Sequence, residues 1–164
     1  MVKEVPPPTT EGIKNALPRL DFIDTFATTN HKNSLAEIAH FIFATAPNWV
    51  KTLFYIRNTL VRLVGLKTDY PVTQDDTFEV GNHVGFFKIY QILDNEVILG
   101  ADDSHLNFRV SILNNQAQNF NIEVTTLVEF NNTLGRIYMK IIAPFHRLVV
   151  KAMMKQAYHP NPAL

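Results

Sequence analysis

The apolar residues of this chain change their spacing twice, and that switch restricts the fold more than any other feature of the sequence. From about residue 34 to 65 they recur at helical intervals. From about 77 to 130 they alternate with polar residues as in strands, and from 134 to 156 the helical interval returns. Strand segments that follow one another through short polar turns favour an antiparallel meander, because parallel strands need a long crossover between each pair. The order predicts one soluble α+β domain in which a curved antiparallel sheet wraps a long C-terminal helix.

Local chemistry marks the boundaries. Leu20, Phe22 and Phe26 among Asp21, Asp24 and Thr25 suggest a first strand over 20–28. Ser34-Leu35-Ala36-Glu37 has the form of a capping box, and Leu35, Ile38, Ala39, Ile42 and Phe43 then share one helical face. Pro47 suits the first turn of a second helix, whose stripe of Val50, Leu53, Phe54, Leu60, Val61 and Val64 stops at Gly65. Thr77 to Val80 suggests a short strand, with Gly81 and Gly85 bracketing a turn. The last helix runs from Leu134 to about Gln156, with Leu134, Ile137, Tyr138, Ile141, Phe145, Leu148, Val149 and Ala152 expected as its buried stripe. Arg136, Lys140, Arg147, Lys151 and Lys155 form a basic flank, and Pro144 is expected to kink the helix.

Turns centred on Asp94-Asn95 and Asp103-Ser104 place Tyr90, Ile92, Val97, Leu99, Ala101, Leu106, Phe108, Val110 and Ile112 on one face of the sheet. With Ile112 opposite Phe120, that face also receives Ile122, Val124, Thr126 and Val128. The other face collects Gln91, Glu96, Asn107, Arg109, Ser111, Asn121, Glu123 and Thr125, as expected of a side that meets water. Residues 1–18, with Pro6 to Pro8, read as an extended surface arm. The domain then spans 19–157, and 158–164 form a tail.

Fifteen basic and fifteen acidic residues cancel, and no basic block appears, so nucleic acid is not an expected partner. Cysteine is absent, which removes disulfides and thiolate chemistry. The N-terminus lacks the apolar run of a signal peptide, and no stretch has the roughly 20 uncharged apolar residues of a membrane span, so a cytoplasmic protein is expected. No pair of histidines has a metal-site spacing, no G-x-G-x-x-G fingerprint calls for a dinucleotide, and no G-x-S-x-G elbow is present. Neither a metal nor a cofactor is expected.

The element order resembles the topology of the START-like (SRPBCC, helix-grip) superfamily. Gly100-Ala101-Asp102-Asp103-Ser104-His105-Leu106-Asn107-Phe108-Arg109-Val110-Ser111 resembles the central signature of an uncharacterised bacterial domain-of-unknown-function family within it. Leu134-Gly135-Arg136-Ile137-Tyr138 with Pro144-Phe145-His146-Arg147 is similar to that family's C-terminal signature, and Pro47-Asn48-Trp49 with Ile56-Arg57-Asn58 to its helical region. The resemblance covers roughly residues 20–155. It implies a cavity between sheet and long helix that holds a lipid- or polyketide-like molecule, with cyclase or hydrolase activity in some relatives and binding alone in many.

Within such a cavity Tyr138 and His146, on the closing helix, are the candidates best placed to present a polar group to a ligand, although buried Tyr and His more often only pack and bond nearby backbone. Tyr90 and Phe108 on the inner face, and Trp49 and Arg57 near a mouth formed by the early helices, complete the expected ligand-binding set. Asp102, Asp103, His105 and Arg109 are more conspicuous, but Asp and Ser at a hairpin turn bond local backbone, and Arg109 opposite Glu123 reads as a cross-strand ion pair. The sequence therefore favours a binder of a small apolar molecule. The alternatives are a cyclase- or hydrolase-type enzyme using the same cavity, or a surface module in which the basic flank meets anionic lipid or a protein.

Overall fold

The computed structural model describes residues 1–53, 55 and 77–160. Among them seven strands form one antiparallel sheet: β1 (Val2–Glu4), β2 (Phe22–Thr28), β3 (His83–Val84), β4 (Phe87–Ile92), β5 (Glu96–Asp102), β6 (Leu106–Asn114) and β7 (Ile122–Phe130). The spatial order is β1-β2-β7-β6-β5-β4-β3, so the meander from β3 to β7 is closed by the earlier β2 lying against β7. The helices described from end to end are α1 (Glu11–Ala16), α2 (Leu35–Phe43) and α3 (Thr133–Met154), the last running into a 3-10 turn over Lys155–Ala157. The architecture is α+β, with α2 and α3 packed on one face of the sheet and α1 on the other.

The helix starts follow their caps. Ser34 Oγ accepts from the Glu37 amide at 3.3 Å and Glu37 Oε2 accepts from the Ser34 amide at 2.8 Å, so the capping box closes in both directions. Asn132 Oδ1 accepts from the Gly135 amide at 3.1 Å at the head of α3, and the helix continues unbroken through Pro144. Residues 48–53 are helical, as expected after Pro47; Arg57 and the remainder of that stripe lie outside the described residues. Residues 77–80 form no strand, and the short pairing falls instead at His83–Val84, between Gly81 and Gly85.

The register differs from the expected one by even steps. The β5–β6 turn is centred on Ser104-His105, and Ile112 stands opposite Val124 rather than Phe120. Asn115 bonds across the β6–β7 loop to Asn121, and positive φ at Gln116 and Phe120 widens that loop, so β7 pairs only from Ile122. An even slip leaves each side chain on its face. Rows across the inner face therefore read Val97, Ile112, Val124, Phe26, then Leu99, Val110, Thr126, Asp24, then Ala101, Phe108, Val128, Phe22.

Tyr90 is the exception. A bulge between Ile89 and Gln91 puts Ile89, fully buried, beside Leu99 and turns Tyr90 to the other face. Arg109 stands opposite Leu127, not Glu123, and pairs with Asp102 at 2.7 Å while its guanidinium lies 3.7 Å from the centre of the Tyr90 ring. Burial raises the pKa of the Tyr90 hydroxyl; Arg109 opposes that shift and Asp102 adds to it.

The outer face is not a wet one. Residues 1–18, expected as an extended arm, supply β1, which pairs with β2, and α1, which lies over β5 and β6. Thr10 caps α1 and donates to Glu96 Oε1 at 2.8 Å; Ser111 donates to the same oxygen. Glu96 and Ser111 are consequently buried, as are Thr125, bonded to Thr25, and Asn121, bonded to Asn30. A Cβ at Gly12 would overlap the Glu96 carboxylate, so glycine there allows α1 to approach this closely.

Candidate functional site

The rotation of α3 decides which side chains face the sheet. A Cβ at Gly135 would overlap the carbonyl oxygen of His105, so the first turn lies directly on the β5–β6 turn and Gly135 points inward. Tyr138, Met139, Ile142, His146, Val149 and Met153 follow on that side at helical spacing. The stripe expected to be buried is rotated outward: Leu134, Ile137, Ile141, Phe145 and Leu148 are between 38% and 62% exposed. The helix carries two apolar stripes about a third of a turn apart, and the contact at Gly135 selects between them.

Between α3, α2 and the inner face lies a cavity of about 560 Å³. Most of its wall is apolar, including Phe43, Phe87, Phe108, Val110, Val124 and Val128. Phe108 meets Phe87 edge to face at 5.5 Å. Polar groups enter from Lys51, Asp103, Thr126, Tyr138 and His146. Trp49 is 48% exposed and takes no part in the lining, whereas Lys51 and Tyr55, from the same region, do.

Two histidine–aspartate pairs adjoin this space. At one end His105, fully buried, has Nδ1 3.4 Å from Asp103 Oδ1 and meets the Tyr138 ring edge to face at 5.0 Å. Further along α3, His146 Nε2 is 3.4 Å from Asp24 Oδ1 and 3.2 Å from Thr126 Oγ1, with Phe22 packed against the ring at 6.0 Å. Asp24 is 4% exposed, and its Oδ2 has no hydrogen-bond partner among the described residues. A carboxylate beside an imidazole in an apolar wall can orient the ring and hold or accept a proton.

The structure thus brings Tyr138, His146 and Phe108 to one cavity and leaves Tyr90 and Trp49 out of it. The conspicuous Asp102–Arg109 stretch divides, with Asp102 and Arg109 on the outer face and Asp103 at the cavity. Asp24 and Thr126 are the polar partners that sequence reasoning did not single out. Asp24 did carry a signal, since it shares the two-residue phase of Phe22 and Phe26 and so interrupts an inward apolar row. Among the described residues no three His, Asp or Glu side chains are grouped as a metal site requires, and no helix is long and apolar enough to cross a membrane.

The chain matches no curated protein and no solved structure. The sequence profile of one family, described as "Protein of unknown function (DUF2867)", matches residues 16–153.

Proposed function

The chain belongs to the DUF2867 family, and we propose that it binds a small, largely apolar molecule between the sheet and α3. The observation that carries this reading is the cavity itself, whose volume of about 560 Å³ lies within the roughly 300–1,000 Å³ of small-molecule sites. Its wall has the usual composition of such sites, apolar and aromatic over most of its area with a few polar groups. The arrangement of α3 against one face of a seven-stranded antiparallel sheet supports a helix-grip architecture of the START-like kind within this reading. A balanced charge and a mainly apolar lining favour a neutral lipid- or polyketide-like ligand in a cytoplasmic protein over a nucleic acid.

The test is fluorescence of the neutral probe N-phenylnaphthylamine titrated with the purified chain, together with native mass spectrometry after detergent-free purification. Saturable enhancement at one probe per chain, displaced by an apolar competitor, is the expected result. No enhancement and no retained adduct would sink the reading.

A further inference from the structure

The inner row that begins with Ile89, Leu99 and Val110 is apolar, and it ends in Thr126 and Asp24. His146 stands over that end and lines the cavity, its Nε2 within reach of both Thr126 Oγ1 and Asp24 Oδ1. An ionised carboxylate can only accept hydrogen bonds, so beside one a neutral ring would direct an Nε2–H toward Asp24 and carry its lone pair on Nδ1. Nδ1 of this partly exposed ring makes no hydrogen bond among the described residues, and neither does Oδ2 of Asp24, a residue only 4% exposed. A buried carboxylate oxygen left without a partner, as Asp24 Oδ2 is, is uncommon in a structural role.

We propose that His146 accepts, at Nδ1, the proton of a weakly acidic hydroxyl, phenolic or enolic, on a neutral apolar ligand, with Asp24 and Thr126 as the residues that position the ring. The proposal rests on the cavity being a ligand site. In the step, the ligand O–H bond breaks and an Nδ1–H bond forms. The electron pair stays on the ligand oxygen, and total charge is unchanged. The resulting imidazolium faces Asp24 Oδ1, which sets a positive charge beside the buried carboxylate. A ligand that arrives already ionised, as a carboxylate does at neutral pH, brings no proton to Nδ1 and would place a second anion beside Asp24 with the ring still neutral. A hydrocarbon without a hydroxyl would leave Nδ1 unmatched.

The experiment displaces N-phenylnaphthylamine from the full chain with naphthalene, naphthol and naphthoate at neutral pH. Naphthol is expected to bind about tenfold tighter than naphthalene, the worth of about one good hydrogen bond, and naphthoate weaker than either. His146→Phe should keep naphthalene binding and lose the naphthol preference. Asp24→Asn should reduce that preference a few-fold and redistribute the ring proton, read from the imidazole nitrogen NMR shifts of His146, which in the wild-type chain should report an Nε2–H tautomer. A wild-type ring protonated on Nδ1, or a naphthol preference that survives in His146→Phe, would overturn the proposal. Naphthalene binding without any naphthol preference overturns it alone; failure of the probe and all three compounds to bind overturns the cavity reading as well.

Discussion

Both faces of the sheet bury polar side chains, yet they treat them differently. On the outer face Glu96 receives hydrogen bonds from Thr10 and Ser111, and the Thr25 and Thr125 hydroxyls bond each other at 2.9 Å. On the inner face Asp24 keeps one oxygen with no partner among the described residues, next to a histidine that lines a cavity. A satisfied network serves folding, because its atoms need nothing further. An unsatisfied one beside empty space has room for a molecule that supplies the missing group. The contrast supports the proposed site on the inner face better than residue type does, since among the described residues the outer face also buries many polar side chains, Thr25, Glu96, Arg109, Ser111 and Thr125 among them.

Substitutions at the two faces should separate stability from binding. The largest effect is expected at Gly135→Val, where added methyl groups force α3 off the His105 carbonyl; about 3 kcal/mol should be lost in urea unfolding, together with probe binding. Glu96→Ala leaves the Thr10 and Ser111 hydroxyls unpaired and should cost about 2 kcal/mol by the same measurement. Probe affinity should nevertheless stay unchanged, and a loss of binding in that variant would break the division between the faces. Phe145→Ser, on the outward stripe of α3, should shift stability by no more than about 0.5 kcal/mol. A cost like that of a core truncation would mean that this stripe is covered.

The smallest effect concerns an exposed carboxylate, as a control for the buried ones. The Ser34 amide, and then its hydroxyl, hold the Glu37 carboxyl below its ordinary value of 4.5. A lowered folded-state pKa means that the contribution of the cap is present above the ordinary value and fades as pH falls through the lowered one. Glu37→Gln should therefore remove a small acid-side fall in unfolding midpoint while changing the neutral-pH midpoint little. An unaltered acid profile would show that the cap does not titrate with folding.

Much of the inner face was legible in the sequence because strand alternation is a local property. Val97, Leu99, Phe108, Val110 and Val124 share a face whichever even register the strands adopt. Tyr90 was misplaced because a bulge, one extra residue in β4, reverses every assignment beyond it and leaves no local mark in the pattern. Tyr138, His146 and Val149 were placed on the cavity side and are found there, while Leu134, Ile137, Ile141, Phe145 and Leu148 of the expected α3 stripe face outward. Two apolar stripes on one helix are equivalent to any count of periodicity.

What the sequence determined by itself was the class and order of the longer elements from β2 onward, the capping box of α2 and the phase of β5, β6 and β7, all of which depend on residues close together in the chain. The tertiary structure alone decided that residues 1–18 cover the outer face, that Gly135 sets the rotation of α3, and that Asp24, Thr126 and His146 meet. Asp24 and His146 are separated by 122 positions. Contacts across such a distance are fixed by how the sheet closes on β2 and how closely a helix can approach it, and neither leaves a local pattern to read.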